Sequence, residues 1–197
     1  LLATLARRPE AYHQKVLSGP SRDDDHLASI HDRVVFKQEG LDQLLQYDAY
    51  GRKSLIDHFY SVEDGVDEVR SGTAQERGDF VQGHYQSTVN SIDANHLEAL
   101  LSREGNVDNV PLKVTKKVTV VAGESALLVE YLLENLPPEQ TFHFAVEWNF
   151  SGMPAGAEDR YFYDVSQQPL GELGSQLDLR ETTGVGLVDR WLGLDVG

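Results

Sequence analysis

The sequence contains no cysteine, which excludes a disulfide framework and a thiolate zinc site. It has no apolar run near the roughly 18 residues that a membrane span requires. It also lacks the basic-then-apolar order of a signal peptide. We therefore expect a cytoplasmic protein. The spacing of its histidines matches no metal-ligand pattern, and the sequence predicts neither a metal site nor a cofactor.

Basic side chains are scarce, since 17 Lys and Arg face 32 Asp and Glu and give a formal charge of −15 at pH 7. Such a surface repels a phosphate backbone. Nucleic acid and anionic membranes are therefore excluded as expected partners. The remaining composition, 40% hydrophobic and 25% charged over 197 residues, is typical of one globular domain.

Helical periodicity is confined to the start of the chain. Residues 1–17, "LLATLARRPEAYHQKVL", favour two short helices divided at Pro9. Residues 18–28, which include three successive aspartates, predict a solvated loop. The opening lacks an initiator methionine, and the end at Gly197 lacks polar, frayed character, so we expect a piece of a longer protein.

From residue 29 onward the hydrophobic pattern has period two and is interrupted by turn-forming residues about every ten positions. This pattern is typical of an antiparallel β-sandwich, here over 29–197. In "TFHFAVEWNF" the apolar side chains alternate with polar ones, and "NLPPEQ" predicts a hairpin with the preceding "ALLVEYLLEN". "PLKVTKKVTVV" predicts a strand with one wet face. Further strands are predicted near 33–38, 42–48, 54–61, 79–92, 96–103, 161–165 and 176–182.

The stretch "YDAYGRKSLIDHFY", residues 47–60, is unusually rich in polar and aromatic side chains. Its pattern predicts a hairpin that turns at Gly51. Asp57 and His58 then lie on opposite faces of one strand and cannot form a catalytic dyad.

Three stretches, in chain order, resemble one known family. "SIHDRVVFKQEGLDQLLQYDAYGRKSLIDHFY", "VPLKVTKKVTVVAGESALLVEYLLEN" and "FAVEWNFSGMPAGAEDRYFY" look like the C-terminal β-sandwich region of glycoside hydrolase family 57. The likeness is to its α-amylase and 4-α-glucanotransferase type. "LARRPEAYHQKVL" is similar to the helical segment that joins the catalytic barrel to that sandwich.

The resemblance implies a mainly β fold, a large twisted antiparallel β-sandwich of the galactose-mutarotase-like kind with a short N-terminal helical segment. It also implies a sandwich that continues beyond Gly197. The family catalyses retaining glycosyl transfer with a glutamate nucleophile and an aspartate acid on an N-terminal barrel. No alternating βα run occurs here, so no catalytic residue can be assigned. The implied role is a non-catalytic accessory domain that buttresses the barrel of the same parent chain and borders an α-glucan cleft.

Two sets of candidate site residues follow from this role. Exposed aromatic and polar side chains suit a sugar. The carbohydrate-contact candidates are Trp148, Asn149, Asp159 and Tyr161. The candidates for the domain interface or cleft border are Asp48, Arg52, Asp57 and His58.

Two alternatives stay open at this point. His143 and Glu147, on the polar face of their strand, could serve an enzyme of the mutarotase or epimerase type. Trp148 or the 152–163 loop could instead serve an autonomous starch-binding module. The phenylalanines that flank Trp148 at alternate positions favour a place for it in the core.

Overall fold

A computed structural model of the chain describes residues 8–10, 13, 47–150 and 156–197. In these ranges the strands form three antiparallel sheets, and the mainly β, sandwich-type fold class is confirmed. None of the helical residues described here forms a segment with the length and apolar character of a membrane crossing. The elements are β1 Ile56–Tyr60, α1 Val66–Ser71, β2 Gln86–Ser91, β3 His96–Val107, β4 Val110–Val121, β5 Leu127–Glu134, β6 His143–Glu147, β7 Arg160–Asp164, β8 Pro169–Glu172, β9 Val185–Asp189 and β10 Leu194–Val196.

The largest sheet has the order β2-β3-β4-β5, so consecutive strands are neighbours. The alternation predicted for β4 is confirmed, because Leu112, Val114 and Lys116 are buried on one face. Lys113 and Lys117, on the other face, pair with exposed glutamates of β5. One face of the sheet is therefore interior and the other is wet, as antiparallel sheets permit.

β1 and β6 form a two-stranded sheet that covers the interior face of the larger one. Phe59 is directly opposite Phe144 in this pair, and both rings face the core. Phe59 is fully buried, with its ring centroid 5.1 Å from those of Phe80 and Phe144. The core is thus an aromatic cluster centred on Phe59, and it fixes which face of β1 points outward.

A third sheet has the order β10-β9-β7-β8. The Tyr163 ring of β7 lies directly over Gly186 of β9, where any side chain would collide with it. The Tyr163 hydroxyl donates to Asp195 Oδ1 at 2.6 Å. Through these contacts Tyr163 holds β7 in place against β9 and β10.

The hairpin predicted over 127–150 is wrong. β5 pairs with β4 and β6 pairs with β1, so the two segments belong to different sheets. The reason is packing, since pairing with β1 places Phe144 beside Phe59 in the core. β6 also ends at Glu147, earlier than the alternation suggests.

The hairpin predicted over 47–60 is described only in part. Its second strand is β1, and residues 47–54 around the turn are irregular, whereas 41–46, which would supply most of the first strand, lie outside the described residues. Side chains rather than a strand partner hold this segment. Asn149 Nδ2 donates to Lys53 O at 2.9 Å, and Ser54 Oγ donates to Asn149 O at 2.8 Å.

The other strand predictions have mixed outcomes. The strand predicted over 79–92 is regular only as β2, and 176–182 forms no strand, with Glu181 at φ +53° and a local Arg180–Asp178 ion pair. α1, β8, β9 and β10 were not predicted. The helices predicted in 1–17, the loop at 18–28 and the strand at 33–38 lie largely or wholly outside the described residues.

Candidate functional site

A groove of ≈ 1240 Å³ lies over the outward face of the β1–β6 sheet. Residues directly opposite in an antiparallel pair share a face. The pairs Tyr60 with His143, His58 with Ala145 and Ile56 with Glu147 therefore build one wall. The groove's polar and aromatic lining includes Tyr50, His58, Tyr60, Glu76, His143 and Glu147.

His58 is the centre of this wall. Its Nδ1 lies 2.8 Å from Glu76 Oε2 and its Nε2 lies 3.0 Å from Glu147 Oε2. The His58 side chain is only 3% exposed, and its ring stacks on Tyr60 with centroids 4.9 Å apart. Because carboxylates accept at both nitrogens, both must donate, and the imidazole is held as the cation.

Glu147 is the acceptor that joins the groove's separate segments. Besides His58, its carboxylate accepts from the Tyr50 hydroxyl at 2.7 Å and from the Asn149 amide. Glu76 is held in a similar way, since its Oε1 accepts from the backbone N–H groups of Phe59 and Gly78 at 2.9 and 3.1 Å. The two carboxylates are therefore fixed in place before any ligand or partner arrives.

Burial and hydrogen bonding shift the pKa values of the groups in this network. Burial alone would lower the pKa of His58, but its hydrogen bonds to Glu147 and Glu76 outweigh burial and raise that pKa to about 9. Burial would raise the pKa of Glu147, but hydrogen bonds from His58, Asn149 and Tyr50 lower it to about 2. Burial, followed by the charges of Glu76 and Glu147, raises the pKa of Tyr60 to about 12.

We predict that His58 titrates with a midpoint near 9 rather than near its ordinary 6.5. Its folded-state pKa is raised, so its contribution to stability is complete below pH 6.5 and is lost as the pH rises through 9. Glu147 has a lowered pKa, so its contribution is complete above pH 4.5 and is lost as the pH falls towards 2. The His58–Glu147 pair therefore stabilises the fold most between about pH 4.5 and 6.5, where both contributions are complete.

NMR titration of the histidine ring carbons measures this midpoint, with His58→Asn identifying the signal among the seven histidines. Glu147→Gln should move the midpoint downward, because one of the two carboxylates is removed. A midpoint near 6.5 in the unmodified chain would contradict the enclosed ion pair.

The opposite face of β1 carries Asp57, which points into the interior. Asp57 is 1% exposed and forms a buried ion pair with Lys116, whose Nζ lies 2.7 Å from Asp57 Oδ2. The Tyr85 hydroxyl also donates to this carboxylate, and Lys116 Nζ donates to Leu55 O at 2.6 Å. Asp57 and His58 thus lie on opposite faces, as predicted, and the Asp57 side chain does not reach the groove.

Asp48 and Arg52 lie at the edge of the groove. Arg52 donates to both carboxylate oxygens of Asp48, with Nε–Oδ2 and Nη2–Oδ1 distances of 3.0 and 2.9 Å. This two-point contact holds the irregular segment 47–52 in one shape beside His58.

Trp148 and Asn149 directly follow β6. Trp148 is 41% exposed and stacks on Phe150, with centroids 5.9 Å apart and an interplanar angle of 3°. The interpretation of Trp148 as a core residue is therefore wrong, because the strand's alternation ends at Glu147. Asn149 is engaged by Glu147 and by the Lys53 carbonyl.

Asp159 and Tyr161 belong to a different part of the fold from the groove. Tyr161 is on β7, in the third sheet, and Asp159 immediately precedes that strand. Of the 152–163 loop, residues 152–155 lie outside the described part of the chain. The structure therefore does not place the four carbohydrate-contact candidates in one site.

Two residues central to these networks, Glu76 and Lys116, were missed as site residues. Glu76 reaches His58 through an isolated bridge between Tyr60 and Glu76, which no local pattern reveals. Lys116 could have been found. A lysine at an apolar position between Val114 and Val118 indicates a buried acidic partner.

The described residues therefore define an antiparallel β domain whose outward groove contains a network in which the His58 cation lies between the Glu76 and Glu147 carboxylates. The family model "Alpha-amylase/4-alpha-glucanotransferase, C-terminal" matches residues 1–197. The chain belongs to this family.

Curated relatives agree with this placement. The chain is 28% identical over 187 residues to an alpha-amylase of Pyrococcus abyssi, covering 92% of the chain and 25% of the relative. It is also 28% identical over 188 residues to a 4-alpha-glucanotransferase of Thermococcus kodakarensis, covering 94% of the chain and 25% of that relative. The chain thus spans about a quarter of the length of the curated relatives that it matches.

A solved structure is similar as well. The crystal structure of the 4-alpha-glucanotransferase from Thermococcus litoralis matches with a TM-score of 0.52 and 25% identity, covering 85% of the chain and 25% of the solved chain. The match supports the antiparallel β architecture described above.

Proposed function

We propose that the chain is the non-catalytic C-terminal accessory domain of an α-glucan-acting hydrolase or 4-α-glucanotransferase. In this role it buttresses the catalytic region of the same parent chain, and its groove borders the carbohydrate cleft. The parent is a retaining enzyme whose catalytic carboxylates lie outside this chain. A cytoplasmic location is part of the same proposal and rests on the lack of cysteine.

The observation that carries the proposal is that His58 and Glu147, the ion pair at the centre of the groove, are fully engaged by protein groups. Both His58 nitrogens and both Glu147 oxygens already have partners. The pKa values of about 9 and 2 keep His58 cationic and Glu147 anionic across the physiological range. A general acid or base works best with a pKa near the operating pH. This network is suited to holding a surface in shape for a neighbouring domain.

The hydrogen bonds already made by Glu147 also argue against an enzyme of the mutarotase type. His143 and Glu147 are four positions apart on β6, which places their Cα atoms about 13 Å apart. His143 Nδ1 lies 3.2 Å from the Ser61 carbonyl, and Glu147 is engaged by three donors. Glu147 is therefore not free to exchange a proton with a sugar hydroxyl, and His143 alone cannot supply both the acid and the base.

One observation favours a second candidate function, a starch-binding module. The exposed, stacked pair of Trp148 and Phe150 offers a flat apolar surface of the kind on which sugar rings pack. Asn149 adds little to it, because its amide already donates to Glu147 and Lys53.

We expect the purified chain to show no turnover of soluble starch or maltooligosaccharides and no acceleration of glucose mutarotation. Both members of a carboxylate pair are needed around a scissile glycosidic bond, and the groove has no free pair. Reducing-sugar release, product chromatography and polarimetry measure these activities. Calorimetric titration should give a Kd for maltooligosaccharides of about 1 mM or weaker.

Glu147→Gln is the matched control for that assay. Activity that is equal in the unmodified chain and in Glu147→Gln belongs to a contaminant. Turnover that is lost in Glu147→Gln, while the variant remains folded, would contradict the accessory role. Micromolar binding that is lost in Trp148→Ala would favour the binding module.

A further inference from the structure

Trp191 is at the turn between β9 and β10. Its side chain is 72% exposed, the largest value among the exposed large hydrophobic residues in the described ranges. β9 ends at Asp189 and β10 begins at Leu194, so the turn comprises residues 190–193. An indole ring is thus presented to solvent at the end of a two-stranded ribbon.

The turn that holds Trp191 is fixed by hydrogen bonds of the residues before and after it in the sequence. Asp189 is 1% exposed, and its Oδ1 accepts from Leu192 N at 3.0 Å. Arg190 N donates to Asp159 O, also at 3.0 Å, which ties the turn to the segment before β7. Gly193 closes the turn at φ +64°, a conformation that glycine adopts without strain. Because the backbone is already ordered, a ligand meets a preorganised ring.

Polar groups suited to hydroxyls lie beside this turn. Arg190 Nη2 lies 3.3 Å from the Tyr161 hydroxyl, and the guanidinium lies 5.6 Å from the Tyr161 ring centroid. A guanidinium has five N–H donors, and a tyrosine hydroxyl both donates and accepts. After the Arg190–Tyr161 contact, four donors of Arg190 and a lone pair of the Tyr161 hydroxyl are left to meet a ligand.

We propose that Trp191, with Arg190 and Tyr161, forms a binding platform for a glucopyranosyl unit of an α-glucan. The indole ring packs against the C–H face of the sugar, and Arg190 and Tyr161 hydrogen-bond to its hydroxyls. The identity of the sugar rests on the proposed function, and the platform itself on the geometry of the turn. The platform binds substrate chain and performs no chemistry.

The size and charge of the surface favour a neutral sugar over a protein partner. The turn offers two adjacent apolar side chains, Trp191 and Leu192, whereas a specific protein interface buries more than about 1,000 Å². The chain's formal charge of −15 repels anionic partners and leaves the encounter with a neutral polysaccharide unaffected. Binding should therefore be insensitive to salt.

The sequence contains only two tryptophans, which allows each to be observed alone. In Trp148→Phe, all tryptophan fluorescence comes from Trp191, and in the matched variant Trp191→Phe it comes from Trp148. Acrylamide quenching is measured with maltoheptaose from zero to about 10 mM, a range that covers a Kd of about 1 mM. Sorbitol at equal mass concentration, a neutral polyol without a pyranose ring, is the control ligand.

We expect maltoheptaose to reduce the acrylamide quenching of Trp191 fluorescence about two-fold or more. The quenching of Trp148 should change little. Both results should be the same at high and low salt. Native electrophoresis through amylopectin gels, a second measurement in the wild-type background, should show retardation that Trp191→Ala abolishes and Trp148→Ala leaves intact. Unchanged quenching of Trp191, equal protection by sorbitol, or retardation that survives Trp191→Ala would overturn the platform. None of these results affects the accessory role, which fails only if the chain itself turns over a substrate.

Discussion

Replacing Lys116 by methionine is expected to lower the free energy of unfolding by about 3–5 kcal/mol, because it leaves the buried Asp57 carboxylate without its cation. Lys116 is 5% exposed and Asp57 is 1% exposed. The Lys116 ammonium also lies 4.2 Å from the Tyr85 ring centroid and donates to Leu55 O. Leu55 has φ +64°, so this bond also holds a strained residue at the start of β1.

Lys117→Met is the matched control, because Lys117 is the next residue of the same strand and its ion pair with Glu130 is exposed. That change should cost far less, because water already solvates the exposed ion pair. The double variant Asp57→Leu with Lys116→Met should regain part of the loss, since no buried charge remains. Urea unfolding monitored by circular dichroism gives the free energy of unfolding of each of the three variants. Equal losses for Lys116→Met and Lys117→Met would contradict a buried ion pair.

Replacing Glu147 by alanine is expected to lower the free energy of unfolding by about 3 kcal/mol. The substitution removes the acceptor for the hydroxyl of Tyr50, the imidazolium of His58 and the amide of Asn149. Of these donors, the Nε2–H of His58 is the most costly to leave without an acceptor, since the ring is charged and 3% exposed.

Glu130→Ala provides the comparison for Glu147→Ala, because Glu130 is also a strand glutamate paired with one cation but is half exposed. Its loss should cost about 1 kcal/mol or less. The test compares the thermal unfolding of both variants and the pH midpoint of the His58 titration measured by NMR. A Glu147→Ala protein as stable as Glu130→Ala, with His58 still titrating near 9, would show that the network does not hold the groove.

The strands that could be predicted from sequence are those in which one face is buried and the other is wet. β4 is the clearest example, because Leu112 and Val114 alternate with Lys113 and Thr115 in both sequence and structure. Alternation identifies a strand and its faces but carries no information about which strand lies beside it. β6 was therefore recognised as a strand and assigned the wrong partner.

The partner of β6 is set by long-range packing. Residues 56–60 and 143–147 pair because this register places Phe59 opposite Phe144 over the core. The sequence suggested a local partner, joined by "NLPPEQ", because short connections are the common ones. Burial of the aromatic cluster outweighs that local preference here.

The candidate site was predictable in part. His58 and Glu147 were both singled out, but for separate roles, and their 3.0 Å contact depends on the unexpected β1–β6 pairing. Glu76 could not be found, because only the return of the chain past Tyr60 brings it to His58. Trp148 was misplaced since the period-two rule was extended past the end of β6.

In the proposed role, the groove supports the parent enzyme and takes no part in bond cleavage. Single-turnover kinetics of the longer enzyme carrying this chain test it most directly, with Glu147→Gln and His58→Ala compared with the unmodified enzyme. The expected result is weaker substrate binding or lower stability, with the chemical step reduced about ten-fold or less, far below the roughly million-fold loss that removal of a true nucleophile causes. Near-complete loss of the chemical step in a variant that still folds and still binds glucan would show that the groove is an active site.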